Sequence, residues 1–139
     1  MDNGSPIARW PVQRTTDMKI TKDGKKLVTI GLDKCITIYD VDGLRITEVA
    51  KITEEGTITS LSITKDGKFA LVNIQDVQEV HLWDLDAQRL VHTYTGQRQN
   101  EYIIRSTIGG TDESLILSGS EGESKQRKER RKKLTYIYR

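Results

Sequence analysis

Few side chains in this 139-residue sequence have the types and spacing that chemistry requires. His81 and His92 are its two histidines, and His81 alternates with Val80, Leu82 and Trp83. A histidine works as a base or a ligand only when partners converge on it. The neighbouring sequence supplies none, so both read as ordinary strand histidines. Cys35 is a single thiol, which makes no internal disulfide and no zinc site by itself; a structural thiol is the default. Ser118 and Ser120 lie in a Gly-Ser turn without the strand-turn-helix elbow that exposes a nucleophile. Gly109-Gly110 lacks the spacing of a phosphate loop. No catalytic residue, cofactor site or metal site is expected, and an enzyme is disfavoured.

The strongest charge feature is a basic tract. Residues 125–133 hold seven basic residues and one acid, which leaves fifteen basic and nineteen acidic residues elsewhere. The body is therefore acidic, and a global basic field of the kind that attracts nucleic acid is missing. Three readings fit the tract: a solvated insertion without a partner, a nuclear-localisation cluster on Lys128, Arg130, Arg131, Lys132 and Lys133, or salt-sensitive phosphate contact. No aromatic stands among these basic residues to stack on bases, so nucleic acid is the weakest of the three. The N-terminus has neither a basic start nor an apolar run, and no stretch approaches the roughly 18 apolar residues of a membrane span. With a lone cysteine, a reducing setting is expected, cytoplasmic or nuclear.

These residues sit on elements that recur. Ile-Thr-Lys-Asp-Gly-Lys stands at 20–25 and again at 63–68, an offset of 43. Ile38-Tyr39-Asp40-Val41 is answered by Leu82-Trp83-Asp84-Leu85, with Trp83 44 residues after Tyr39. Each unit reads as four short strands with an Asp-Gly turn between the first two. In the first unit these are 17–20, 27–30, 35–39 and 46–52; in the second, 58–63, 69–74, 79–83 and 90–95. A third unit has strands at 103–108, 115–117 and 134–138, with Gly109-Gly110-Thr111-Asp112 as its turn. The one helix candidate is Ser124–Lys133. The organisation is a lead-in over 1–13, units over 14–57 and 58–100, and a partial unit over 101–139 carrying the charged insertion 123–133.

Four-stranded units of this length with Trp83-Asp84 closing a third strand resemble WD-repeat β-propellers. The expected fold is all-β, about three blades of an incomplete ring. The resemblance assigns structural positions to Asp33, Tyr39, Asp40, Trp83, Asp84 and Tyr138. Trp83 and Tyr39 are expected under a neighbouring blade. The family also carries an Asp six residues before the Trp and a Gly-His dipeptide before the first strand, which form a buried hydrogen-bond network. Asp33 stands six before Tyr39, but Val77 takes that place before Trp83, with Asp76 one residue off. No Gly-His occurs. The blades are therefore expected to hold mainly by packing. Ser118-Gly119-Ser120-Glu121-Gly122 resembles the family's Ser-Gly-Ser-Glu-Asp turn, with about ten extra residues before Tyr138.

Ala8-Arg9-Trp10, Val80-His81-Leu82-Trp83-Asp84-Leu85, Tyr102-Ile103-Ile104-Arg105-Ser106 and Ile116-Leu117-Ser118-Gly119-Ser120-Glu121 resemble more closely the WD-repeat subunits of the GID/CTLH ubiquitin ligase. That resemblance implies a protein-binding scaffold, with ligase subunits and substrates as partners and no cofactor. In that family LisH and CTLH helical domains precede the propeller. They are missing here, as are blades needed to close a ring, so a piece of a longer protein is expected. The Trp-Asp-x-Arg pattern that WD proteins use to dock onto the adaptor of cullin-type ligases is broken here, because Asp86 follows Leu85.

Overall fold

The computed structural model describes residues 4–6, 9, 14–99 and 103–121, and the backbone of 133–138. Eleven strands form three separate antiparallel sheets among the described residues. The first sheet holds β1 (Thr15–Ile20), β2 (Lys26–Gly31), β3 (Cys35–Asp42) and β4 (Arg45–Thr53). The second holds β5 (Ile58–Ile63), β6 (Phe69–Ile74), β7 (Glu79–Asp84) and β8 (Arg89–Tyr94). The third holds β9 (Ser106–Gly109), β10 (Leu115–Glu121) and β11 (Lys133–Tyr138). Each strand pairs with the next in the chain, so every sheet is a meander, the unit of a propeller blade. The all-β reading and its grouping into blades hold.

The sequence repeat builds a repeated turn. Thr21 Oγ1 donates to Asp23 Oδ1 at 2.6 Å, the same carboxylate accepts from Lys25 N at 3.0 Å, and Gly24 takes φ 73°. Thr64, Asp66, Lys68 and Gly67 reproduce this with 2.6 Å, 3.0 Å and φ 71°. A hydroxyl and a carboxylate satisfy backbone groups that the reversal exposes, and glycine removes the steric cost of positive φ. The threonine hydrogen bond, chiefly, holds both Asp23 and Asp66 below the usual carboxylate range.

The middle strands carry the packing. β6 is buried on both faces: Ala70, Val72 and Ile74 meet the first sheet, and Leu71 meets the third. The first interface adds Val28, Ile30, Ile36 and Ile38 from β2 and β3 against Ile58 and Leu61 of β5. Leu71, Val80 and Ile116, with Leu82, Tyr94 and Ile108 against them, form the second. Burying each such side chain contributes about 1.5–3 kcal/mol, which is why the sheets stack.

Two sequence expectations are corrected. Ser118 and Ser120 do not lie in a turn; β10 runs on through Glu121, and both serines are 1% exposed. Their strand continues because β11 pairs with it through Glu121, past Ser118 where β9 ends. Lys133 begins β11 opposite Glu121, so it is not the end of a helix. The rest of that helix candidate, and with it Lys128, Arg130, Arg131 and Lys132, lies outside the described residues, as does Trp10. The charged segment 122–132 joins the second and third strands of the third sheet, where the sequence put the insertion.

Candidate functional site

Every second residue of β7 faces the first sheet, which places Glu79, His81 and Trp83 in one row. Opposite them stands Glu54, in the connection between β4 and β5, its amide tied to Lys34 O at 2.8 Å. Glu54 is 6% exposed and His81 is 3% exposed. Both carboxylate oxygens of Glu54 lie 3.0 Å from His81 Nδ1, and Trp83 Nε1 donates to Glu54 Oε1. On the other side of the ring, His81 Nε2 is 2.8 Å from Glu79 Oε2.

Burial by itself would lower the pKa of His81. The hydrogen bonds to Glu54 and Glu79 outweigh it and raise the pKa to about 8. At neutral pH the ring is an imidazolium that donates from both nitrogens. His81 remains structural, as expected, but it is partnered on both nitrogens, which the neighbouring sequence does not suggest, and it adds to the packing between the first two blades. A buried Glu54–His81–Trp83 network joins them. One signal was present in the sequence. Glu54 occupies the stretch where the family has its Gly-His pair, and Glu79-x-His81-x-Trp83 has the period of one strand face. The long-range partner of that face was not legible.

Glu55, Glu79 and His81 offer ligand atoms within 4.8 Å of one another, a spacing that a divalent cation would fit. His81 Nε2 already donates to Glu79, so the group as it stands balances charge through a proton.

Asp33 and Asp76 sit 43 residues apart in the turns after β2 and β6. Asp33 accepts from Cys35 N at 3.3 Å and pairs with Lys51 at 3.0 Å. Burial pushes the Asp33 carboxyl up, but the Lys51 contact prevails and holds it low. Asp76 accepts instead from Thr57 N. The positive-φ residues that follow, Lys34 and Gln78, are 44 apart. The additional residue in the second turn is Val77, which explains the off-register Asp. Gly56 permits the close approach, since a Cβ there would stand 2.8 Å from Asp76 Oδ2 and from Ile74 Cγ2.

The remaining sequence candidates are dispersed. Tyr39 is buried in β3 and Asp40 beside it is exposed. Asp84 Oδ1 accepts from Asp86 N at 3.0 Å and Ala87 N at 2.9 Å, closing the β7–β8 turn. Tyr138 pairs with Ile116 through its backbone. His92 is exposed, its ring 4.4 Å from that of Tyr94. Cys35 is buried, its thiol donating to Asp33 O at 3.3 Å. Structural hydrogen bonds tie the third sheet to the second: Asn73 Nδ2 donates to Ile104 O at 3.0 Å and Ser106 N to Ser60 Oγ at 3.2 Å. Within the stretch leading to the third sheet and its middle strand, Arg98 N donates to Ser120 Oγ at 2.7 Å.

Three stacked antiparallel meanders, whose turns repeat every 43–44 residues, are WD-repeat β-propeller structure. Comparison with known proteins relates the chain to several WD-repeat proteins. It is 44% identical over 119 residues to a WD repeat-containing protein of Dictyostelium discoideum, covering 86% of this chain and 20% of that protein. It is 42% identical over 124 residues to the WD repeat-containing protein WDS homolog of Arabidopsis thaliana, covering 86% and 23%. GID complex subunit 7 of Schizosaccharomyces pombe is 35% identical over 128 residues, covering 87% and 25%. The chain thus spans a fifth to a quarter of the length of these relatives. Among solved structures, the β-propeller domain of Cps50 (Swd1) from Myceliophteria thermophila superposes with a TM-score of 0.63 at 15% identity, over 76% of this chain and 35% of that one. That likeness carries the fold alone. No family model matches the chain.

Proposed function

We propose that this chain is propeller sequence of a GID/CTLH-type ubiquitin-ligase subunit and docks protein partners, ligase components and substrates, without chemistry of its own. The observation that carries the reading is the 35% identity to GID complex subunit 7 over 128 residues. The motifs at 80–85, 102–106 and 116–121 support it from the sequence side. Docking to a cullin adaptor through Trp-Asp-x-Arg is not part of the proposal. The fourth position is Asp86, and its carboxylate is paired with Lys26 at 2.9 Å across the first two sheets.

The test is affinity capture of the tagged chain followed by mass spectrometry. Recovery of a RING-type ligase core with its CTLH subunits is expected. Capture free of every ligase subunit removes the proposal.

A second reading rests on the basic segment between β10 and β11. In it the chain is an interaction module that this segment directs to the nucleus. Replacing Arg130, Arg131, Lys132 and Lys133 with Ala is then expected to shift a tagged chain toward the cytoplasm, and an unchanged distribution ends the idea.

A further inference from the structure

The first strands of the three sheets lie side by side, β1 against β5 and β5 against β9. Between them opens a cleft of about 250 Å³ whose polar lining is Lys19, Ser60, Ser62, Arg105, Ser106 and Thr107. Two cationic and four hydroxyl-bearing residues from three sheets thus line it, in a chain whose sequence outside 125–133 is acidic. The nearby acid is Asp17, whose Oδ2 stands 3.9 Å from Arg105 Nη1. At that distance the pair is ionic without a hydrogen bond. One carboxylate against two cations leaves the cleft positive.

A second observation points to a ligand. Ser106 is 6% exposed, and its Oγ has no hydrogen-bond partner. Its amide is already satisfied by Ser60 Oγ at 3.2 Å. A buried hydroxyl without a partner is costly, so native structures leave few of them. An incoming acceptor would satisfy it. Oxyanions are what such a set recognises: a guanidinium fork and an ammonium supply charge-assisted hydrogen bonds, and hydroxyls supply the rest. The volume is below that of a pocket enclosing a drug-sized molecule, and suits a single side-chain group.

We propose that this cleft is a docking site for an oxyanion carried on a protein partner, a phosphoryl or carboxylate group at the end of a side chain. The proposal rests on the reading of the chain as a protein-docking module and names the chemistry of one contact.

The experiment is a titration of the full, isotope-labelled chain, followed by amide NMR, with two blocked tripeptides, Gly-phosphoserine-Gly and Gly-Glu-Gly. Saturable movement of the Ser62, Ser106 and Thr107 amides is expected. Binding of both peptides assigns a general oxyanion site; binding of one assigns that group. The double variant Lys19→Gln/Arg105→Gln is expected to weaken binding at least ~10-fold, about 1.4 kcal/mol. Ser106→Ala is expected to weaken it without lowering the melting temperature, because the hydroxyl it removes has no partner in the free protein. Arg89→Gln, which removes one positive charge on the outer strand β8, is expected to leave binding unchanged. The proposal is overturned by still amides with both peptides, by equal weakening in Arg89→Gln, or by unchanged affinity in the double variant. Ligase capture is read separately, so either result can fail while the other stands.

Discussion

At the scale of residues, a single carboxylate ties the first two sheets together beside their apolar packing. Glu54 accepts from the buried His81, whose other ring nitrogen meets Glu79, and from the half-buried Trp83 indole. Removing one member of a buried charged network leaves the others uncompensated. Glu54→Ala is therefore expected to destabilise the chain by about 3 kcal/mol in urea unfolding at pH 7, and Glu54→Gln by less. The sign of the pH dependence follows from His81. Its folded pKa, about 8, lies above the ordinary value of 6.5. The native state thus holds a proton that the unfolded chain releases first. The stabilisation is whole below pH 6.5 and is lost as pH rises through 8. The shift corresponds to about 2 kcal/mol. Unfolding free energies at pH 6 and pH 9 measure it, and a flat profile would show that folding leaves the His81 pKa unchanged. Both glutamates are plain in the sequence. Their convergence is not, because 27 residues separate Glu54 from His81.

At the scale of elements, turn chemistry and strand burial explain most of what forms. The repeated Asp-Gly turns announce themselves, and the structure builds both in the same way. They differ in surroundings. At Gly24 an added Cβ meets nothing within 4 Å, whereas at Gly67 it would stand 2.5 Å from Thr21 Cγ2. Gly24→Ala is expected to cost about 1 kcal/mol from positive φ alone. Gly67→Ala is expected to cost more, since the neighbouring sheet must also yield. Parallel thermal melts check the order, and equal losses would mean that the sheets are not in contact there. Ile74, fully buried in β6, is a separate probe of the stack, and Ile74→Ala is expected to cost 2–5 kcal/mol. The end of β10 shows the limit of local reading. Ser-Gly-Ser-Glu has the composition of a turn, yet pairing with β11 through Glu121, and amide bonds to Arg105 O and Arg98 O on the other edge, keep it extended.

At the scale of the whole molecule, three sheets cohere because the middle strand β6 is apolar on both faces and each interface draws on it. The charged segment 122–132 joins β10 to β11 in the chain. Loop-closure entropy grows slowly with length, about 0.6 kcal/mol per doubling. Replacing 123–131 with three residues is therefore expected to change the stability of the chain by less than about 1 kcal/mol, as read by denaturant unfolding. A larger loss would show that the segment packs on the sheets. The 43-residue period, the turn chemistry and the alternation of apolar residues are local properties, and from them the sequence by itself determined the strands, their meander order and the blade-like grouping. It also carried the likeness to WD-repeat proteins, because that likeness resides in the same short motifs. Only the tertiary structure decided which side chains from different units come together: Glu54 with His81 and Trp83, and Lys19 with Ser60, Arg105 and Ser106. Such meetings depend on how sheets stack. Stacking is set by apolar burial summed over many residues, which is non-directional and leaves no signature at any single position.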